Sequence, residues 1–124
     1  MAQGILSSPL SLYLHVPFCA AKCGYCSFYS RVPCSGSEFS AWLDAVELEA
    51  RRWRERAGRR IPLRTLYVGG GTPSLLPLPL WKKLLAVIEQ NFDLAPLEEA
   101  SVEANPSSLT EDLLALWDWA FLPV

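Results

Sequence analysis

The sequence predicts an α/β fold in which three strand–helix units place parallel strands side by side in one sheet. Three short segments rich in β-forming residues occur in the 124-residue chain, and each precedes a loop and an amphipathic helical pattern. Strands that alternate with helices form βα units, because a helical crossover lets the next strand run in the same direction. The hydrophobic content of 51% is enough for a packed core.

The first unit begins with the strand candidate at residues 12–16 (LYLHV), which leads into a cysteine-rich loop. Ser37 is predicted to cap the helix that follows, with Glu38 in its first turn. Spacings of three and four residues then predict one buried helix face, formed by Phe39, Trp42, Leu43, Val46, Ala50 and Trp53.

The second unit has a strand candidate at residues 65–68 (TLYV) that stops at three consecutive glycines, residues 69–71. Prolines hold the next loop open, because proline fixes φ and lacks a backbone donor. The apolar side of the predicted helix then carries Leu80, Leu84, Val87 and Ile88.

The third unit has a strand candidate at residues 100–104 (ASVEA), which is broken by Asn105 and Pro106. Ser108 and Glu111 have the spacing of a capping box, so a third helix is predicted to open there. In every unit the distinctive motif follows the strand. Since the C-terminal ends of parallel barrel strands share one rim, we expect the three motifs to converge on one site.

Charge and composition exclude two classes of function. The net charge of −2 argues against a nucleic-acid-binding surface, and no apolar run is long enough to span a membrane. The first nine residues lack the basic start and apolar core of a signal peptide, which predicts a cytoplasmic protein. Four cysteines in a reducing compartment indicate metal binding or redox chemistry rather than disulfides.

Cys19, Cys23 and Cys26 form a CxxxCxxC motif in the first loop. Three thiolates at this spacing suit an iron–sulfur cluster with one iron left open, since such clusters are held by cysteine thiolates. An open iron can bind a substrate or a cofactor. The alternatives are a zinc site that also uses Cys34, or cysteines that are simply small buried apolar residues.

The other two loops carry candidate ligand-binding groups. Glycines after a buried strand let a ligand approach the backbone and leave amide groups free to donate, but they can also merely turn the chain. Glu103 lies in an otherwise apolar strand, where a carboxylate needs a partner such as the amine or hydroxyl of a ligand. The alternative is a glutamate that faces solvent.

Together these motifs resemble the radical S-adenosylmethionine (SAM) superfamily. The branch that they resemble contains oxygen-independent coproporphyrinogen III oxidases and HemW-type heme chaperones. The resemblance rests on residues 12–19 (LYLHVPFC), 23–28 (CGYCSF), 69–74 (GGGTPS) and 103–106 (EANP), in the family's order and approximate spacing.

The resemblance implies a [4Fe–4S] cluster on Cys19, Cys23 and Cys26, with SAM bound to the open iron through its amino and carboxylate groups. The reduced cluster would cleave SAM to a 5′-deoxyadenosyl radical. The residues implied to contact this SAM are Tyr13, Tyr25, Gly70 and Glu103. Gly71 and Thr72 match the position at which the oxidase holds a second SAM.

Within this branch, the position two residues after the third cysteine separates the two functions. The oxidases have a fourth cysteine there, whereas this chain has Phe28, which is similar to the heme chaperones. The resemblance therefore implies a protein that binds heme and delivers it to an acceptor protein, with an electron donor protein as a further partner. The alternative is the oxidase itself, which decarboxylates a porphyrinogen in porphyrin biosynthesis.

The resemblance also implies a TIM-like (β/α)6 barrel, of which this chain holds the first three units. A complete eight-unit barrel takes on the order of 250 residues. We therefore expect an incomplete barrel, with a tail at residues 1–10, the N-terminal half of the core at residues 11–116, and an aberrant or truncated tail at residues 117–124. The alternatives are a non-functional fragment, a small zinc-binding module, or half of a split protein.

Overall fold

Strands and helices alternate along the part of the chain that the structure describes, residues 8–19 and 36–121 of a computed structural model. Their order matches three successive strand–helix units. The elements are β1 (Leu10–Val16), α1 (Gly36–Ala57), β2 (Ile61–Gly70), a 3-10 helix (Pro73–Leu75), α2 (Leu78–Asn91), β3 (Phe92–Asp93), β4 (Glu99–Val102) and α3 (Glu111–Phe121). No helix among the described residues combines the length and the apolar character needed to cross a bilayer.

β2 is the central strand of a parallel sheet. β1 pairs along one of its edges, with Tyr13 opposite Tyr67. Its other edge pairs first with β3, where Phe92 lies opposite Ile61, and then with β4. β3 and β4 are therefore two pieces of one interrupted third strand. The predicted α/β fold with a parallel sheet is confirmed.

The two faces of the sheet have opposite character, because successive side chains of a strand point to opposite sides. On one face, Leu14 and Val16 of β1 and Leu66 and Val68 of β2 are buried in the hydrophobic core. The other face is polar and open. It carries Tyr13, which is 54% exposed, and Tyr67, which is 41% exposed.

The three helices complete the core against the buried face. Trp81 of α2 is fully buried, and its indole N–H donates to the carbonyl of Pro73 at 2.9 Å. Its ring meets the ring of Trp117 edge-on, with centroids 5.1 Å apart. α3 thus continues through Trp117, which lies in the core, and the predicted boundary after residue 116 stays a prediction.

Several predicted element ends are wrong by a few residues. β2 begins at Ile61 and includes Gly69 and Gly70, because both glycines pair with β1. The third strand ends at Val102, so Glu103 follows the strand instead of lying within it. The pair Phe92–Asp93 was not predicted as a strand, since two residues are too short to show a periodic pattern.

The predicted helix starts also differ from the structure. α1 begins at Gly36, so Ser37 lies within its first turn instead of immediately before it. The cap of α3 is Thr110 and not Ser108, because the Thr110 hydroxyl accepts the Leu113 N–H at 3.1 Å. The predicted buried face of α1 holds for most positions, but Trp53 is 42% exposed.

Candidate functional site

The start of the cysteine loop lies directly against the glycine run. The Gly71 N–H donates to the Val16 carbonyl at 2.7 Å, and the Thr72 N–H donates to the Phe18 carbonyl at 2.6 Å. A Cβ at Gly71 would touch the Phe18 carbonyl and would lie 3.0 Å from the Cys19 sulfur. Only glycine permits this approach, which places the first predicted cluster ligand beside residues 71–72.

Gly70 connects the end of β2 to the segment after β4. Its φ is +111°, a region that residues with a side chain rarely adopt. Its N–H donates to the Glu103 carboxylate at 2.8 Å. The Glu103 N–H in turn donates to the Val68 carbonyl at 2.9 Å, so the chain stays paired with β2 one residue beyond β4.

The prediction that the glycine run leaves its amides free is wrong for Gly70 and Gly71, and the next amide, that of Thr72, is also paired. The N–H groups of Gly70, Gly71 and Thr72 all donate to acceptors within the protein. For Gly71 and Thr72 the physical reason is that pairing between the first two units continues past the end of β1, and for Gly70 it is the carboxylate that follows β4. A ligand at this site would therefore meet a carboxylate and the bare Cα surface of the glycines instead of a nest of donors.

Two tyrosines on the open face of the sheet lie on β1 and β2, to one side of Glu103. Tyr13 and Tyr67 stack with ring centroids 5.8 Å apart, and the Tyr13 hydroxyl lies 3.0 Å from Nδ1 of His15. A hydrogen bond to Glu103, then burial and the negative charges of Glu103 and Tyr13, raise the pKa of Tyr67. Burial and the charge of Glu103 raise the pKa of Tyr13. Both hydroxyls therefore remain protonated at neutral pH.

An open cleft of about 420 Å³ lies between the loops that follow β2 and β4. This size falls in the range typical of small-molecule sites. The cleft is lined by Gly71, Thr72, Glu103, Ala104, Asn105 and Pro106. The structure thus brings the glycine motif and the EANP motif to one place at the C-terminal edge of the sheet.

Ser74 joins the two loops that form this cleft, a role that the sequence did not predict. Its side chain is almost fully buried, and its hydroxyl accepts the Asn105 N–H at 3.0 Å. The same hydroxyl lies 2.6 Å from the Ser108 hydroxyl. The sequence signal was a serine directly after the glycine and proline motif, but nothing local indicated a partner 31 residues away.

Three predicted site residues, Cys23, Tyr25 and Cys26, lie outside the described residues. Cys19 is a partly exposed free thiol. Among residues 8–19 and 36–121, no three His, Cys, Asp or Glu side chains are grouped closely enough to hold a metal ion.

A comparison with known families decides the membership of the chain. Residues 13–120 match the family described as the Radical SAM superfamily. The chain belongs to the radical SAM superfamily. The site described above therefore lies within the matched region of a radical SAM protein, and the predicted family resemblance is confirmed.

Similar radical SAM relatives include two named heme chaperone HemW. The one from Lactococcus lactis is 37% identical over 110 residues, which are 89% of this chain and 27% of the relative. The one from Mycobacterium tuberculosis is 41% identical over 112 residues, 86% of this chain and 28% of the relative. The chain thus spans about a quarter of the length of these relatives.

Two further relatives are named coproporphyrinogen III oxidases. The oxygen-independent enzyme of Bradyrhizobium diazoefficiens is 35% identical over 104 residues, 84% of this chain and 23% of the relative. The solved structure of the Escherichia coli enzyme HemN, described as a radical SAM enzyme, superposes with a TM-score of 0.77. It is 31% identical, and the match covers 92% of this chain and 27% of HemN.

We expect Ser74→Ala to loosen the loop at residues 103–108 without unfolding the radical SAM sheet. The change leaves the Asn105 N–H without its acceptor, which costs about 1 kcal/mol. Hydrogen exchange measured by mass spectrometry should become faster in this loop. Ser101→Ala is the matched control, since that hydroxyl makes one long contact of 3.4 Å with Glu99. Equal loop exchange in both variants would contradict the prediction.

Proposed function

We propose that this chain carries the cluster-binding and SAM-binding part of a HemW-type heme chaperone. The observation that carries the proposal is the convergence of Cys19, the glycine run and Glu103 at one edge of the sheet. The heme chaperone relatives at 37% and 41% identity support the chaperone branch. Phe28, where the oxidases have a fourth cysteine, supports it independently.

In this proposal Cys19, Cys23 and Cys26 hold a [4Fe–4S] cluster. The close approach of Gly71 to Cys19 fits such a group, because a side chain at residue 71 would push against the cysteine loop. The bound cluster supplies the electron for reductive cleavage of SAM. The protein contributes the thiolates and a glycine surface beside them.

The proposed SAM contacts are polar on one side and flat on the other. The carboxylate of Glu103 suits the N–H groups of the amino group of SAM, since a hydrogen bond to an ionised acceptor is strong. Gly70 and the tyrosine rings supply close-contact surface. The contacts to the first SAM are assigned to Tyr13, Tyr25, Gly70 and Glu103, and a second SAM to Gly71 and Thr72.

The proposed partners follow from the chaperone function. Heme is the ligand to be carried, an acceptor protein receives it, and an electron donor protein reduces the cluster. In the competing function a porphyrinogen takes the place of heme as ligand. A metal analysis that finds zinc and no iron after anaerobic reconstitution would favour a zinc-binding module instead.

Two chimeras test the chaperone branch against the oxidase branch. In one, residues 11–116 replace the matching part of the Lactococcus lactis heme chaperone; in the other, they replace the matching part of the Bradyrhizobium diazoefficiens oxidase. We expect the first chimera to retain heme through gel filtration. We expect the second to show no porphyrinogen decarboxylation, because the fourth cysteine is missing.

Reconstitution of the cluster in both chimeras is the control, since it shows that each one has folded around the grafted residues. The unmodified relatives give the reference levels of heme retention and decarboxylation. Decarboxylation by the second chimera at the level of its parent, with loss of heme from the first, would assign the chain to the oxidase branch.

A further inference from the structure

Tyr67 lies in the middle of the open face of the sheet, next to the cleft but outside the motifs that carry the proposed function. It is 41% exposed, although the strand positions on both sides of it, Leu66 and Val68, are fully buried. Its ring stacks on Tyr13, and the nearby Glu103 carboxylate raises the pKa of its hydroxyl. Such a residue has a polar partner at the site and a fixed ring orientation.

Gly69 makes the meeting of Tyr67 and Glu103 possible. A Cβ at Gly69 would lie 2.5 Å from Cε1 of Tyr67 and 3.1 Å from Cδ of Glu103, and it would touch the carboxylate oxygen. The absence of a side chain there lets the ring edge and the carboxylate share the space above the strand. Gly69 is therefore needed for this contact, whereas Gly70 and Gly71 are needed for the close approach to β1 and to the start of the cysteine loop.

The Glu103 carboxylate accepts the Gly70 N–H at 2.8 Å. It also lies beside the edge of the Tyr67 ring, because a Cβ at Gly69 would touch both groups. A glutamate side chain has several rotatable bonds. A single donor leaves the carboxylate free to rotate about the axis of that one hydrogen bond. The Tyr67 hydroxyl, as a second donor, would fix the plane of the carboxylate.

We propose that Tyr67 is a positioning residue, whose hydroxyl orients the Glu103 carboxylate towards the amino N–H groups of a ligand in the cleft. The inference rests on the proposed function, because SAM is the amine-bearing ligand. It assigns a role to the residue two positions before the glycine run. The hydroxyl is suited to this role because it stays protonated: loss of its proton would bring a phenolate next to a carboxylate.

The first test needs neither cluster nor SAM. Tyrosinate absorbance is followed from neutral to alkaline pH in the full chain, and the difference between the unmodified chain and Tyr67→Phe isolates the titration of Tyr67. We expect its pKa to lie above the ordinary value of 10.0 and to fall towards it in Glu103→Gln. Far-UV circular dichroism at each pH shows that the fold persists. An unchanged pKa in Glu103→Gln would overturn the inference.

The second test measures SAM affinity by equilibrium dialysis with the anaerobically reconstituted full chain. Tyr67→Phe keeps the ring and its stacking on Tyr13 but removes the hydroxyl, and we expect about fivefold weaker binding. The same change in a Glu103→Gln background should have almost no further effect, since Tyr67 acts through Glu103. Thr65→Val is the matched control. This change removes a hydroxyl from the same face of β2. That hydroxyl donates a hydrogen bond to the Ser11 hydroxyl at 2.7 Å, so its loss should leave the SAM affinity unchanged.

The two tests separate the failure of this inference from failure of the proposed function. Equal SAM affinity of the unmodified chain and Tyr67→Phe overturns the positioning role while leaving SAM binding established. An unmodified chain that binds a cluster but no SAM overturns the proposed function and the assigned ligand together. The tyrosine titration decides separately whether the hydroxyl and the carboxylate are linked.

Discussion

We expect Cys19→Ala to abolish the visible charge-transfer absorption of the anaerobically reconstituted chain and to reduce its bound iron and sulfide to background. The reason is that the CxxxCxxC motif supplies three thiolates, so the loss of one leaves two corners of a four-iron cluster held. The smaller alanine fits beside Gly71, which already packs against the cysteine loop, so the fold is expected to survive. Absorption spectra with iron and sulfide analysis measure the outcome.

Cys34→Ala is the matched control for this prediction, because it removes the one cysteine that lies outside the motif. We expect its cluster content to equal that of the unmodified chain. Survival of the cluster in Cys19→Ala would contradict the ligand assignment. Equal loss of metal from both variants, with zinc as the metal found, would instead indicate a four-cysteine zinc site.

Gly70→Ala should destabilise the fold by about 3 kcal/mol. Two effects contribute. The φ of +111° is strained for any residue with a Cβ, and that Cβ would lie 2.8 Å from the His15 ring and from the Val16 carbonyl. The ring of His15 is itself hydrogen-bonded to Tyr13 at 3.0 Å, so it does not move aside freely. Urea unfolding followed by circular dichroism gives the change in the free energy of unfolding.

Gly58→Ala separates the two effects, since Gly58 also has a positive φ, of 76°, but lies just after α1, at the end of the sheet opposite the cleft. Only the backbone strain applies there, and we expect a loss of about 1 kcal/mol. If both alanine variants lose the same stability, the close approach of Gly70 to β1 contributes nothing. That result would contradict the account of why glycine occupies residue 70.

The sequence alone predicted the fold class because strand and helix periodicities are local. Along residues 65–68, more exposed and buried positions alternate, as in a half-buried strand. The buried positions of α1 repeat at helical spacing. The motifs could be placed at strand ends for the same reason. The missed elements are short or capped by unexpected residues: β3 has two residues, and Thr110 caps α3 although Ser108 has the better local pattern.

The candidate site could be predicted only as a set of residues at one edge of the sheet. Which amides donate to the protein itself depends on contacts with the other units: the first unit accepts the Gly71 and Thr72 N–H groups, and Glu103 of the third accepts that of Gly70. The bridge from Ser74 to Asn105 depends on two loops meeting across 31 residues of chain. Neither contact produces a periodic pattern in the sequence, so neither could be predicted from it.

The sequence by itself determined that Cys19, the glycine run and Glu103 belong to radical SAM motifs, because motif recognition needs only residue type and spacing. The tertiary structure alone decided what these groups touch. Parallel register sets Tyr13 beside Tyr67, and the missing side chain at Gly69 leaves room for the Glu103 carboxylate beside the Tyr67 ring. Such contacts arise from the alignment of strands distant in sequence, and that alignment is fixed by burial of the opposite face of the sheet.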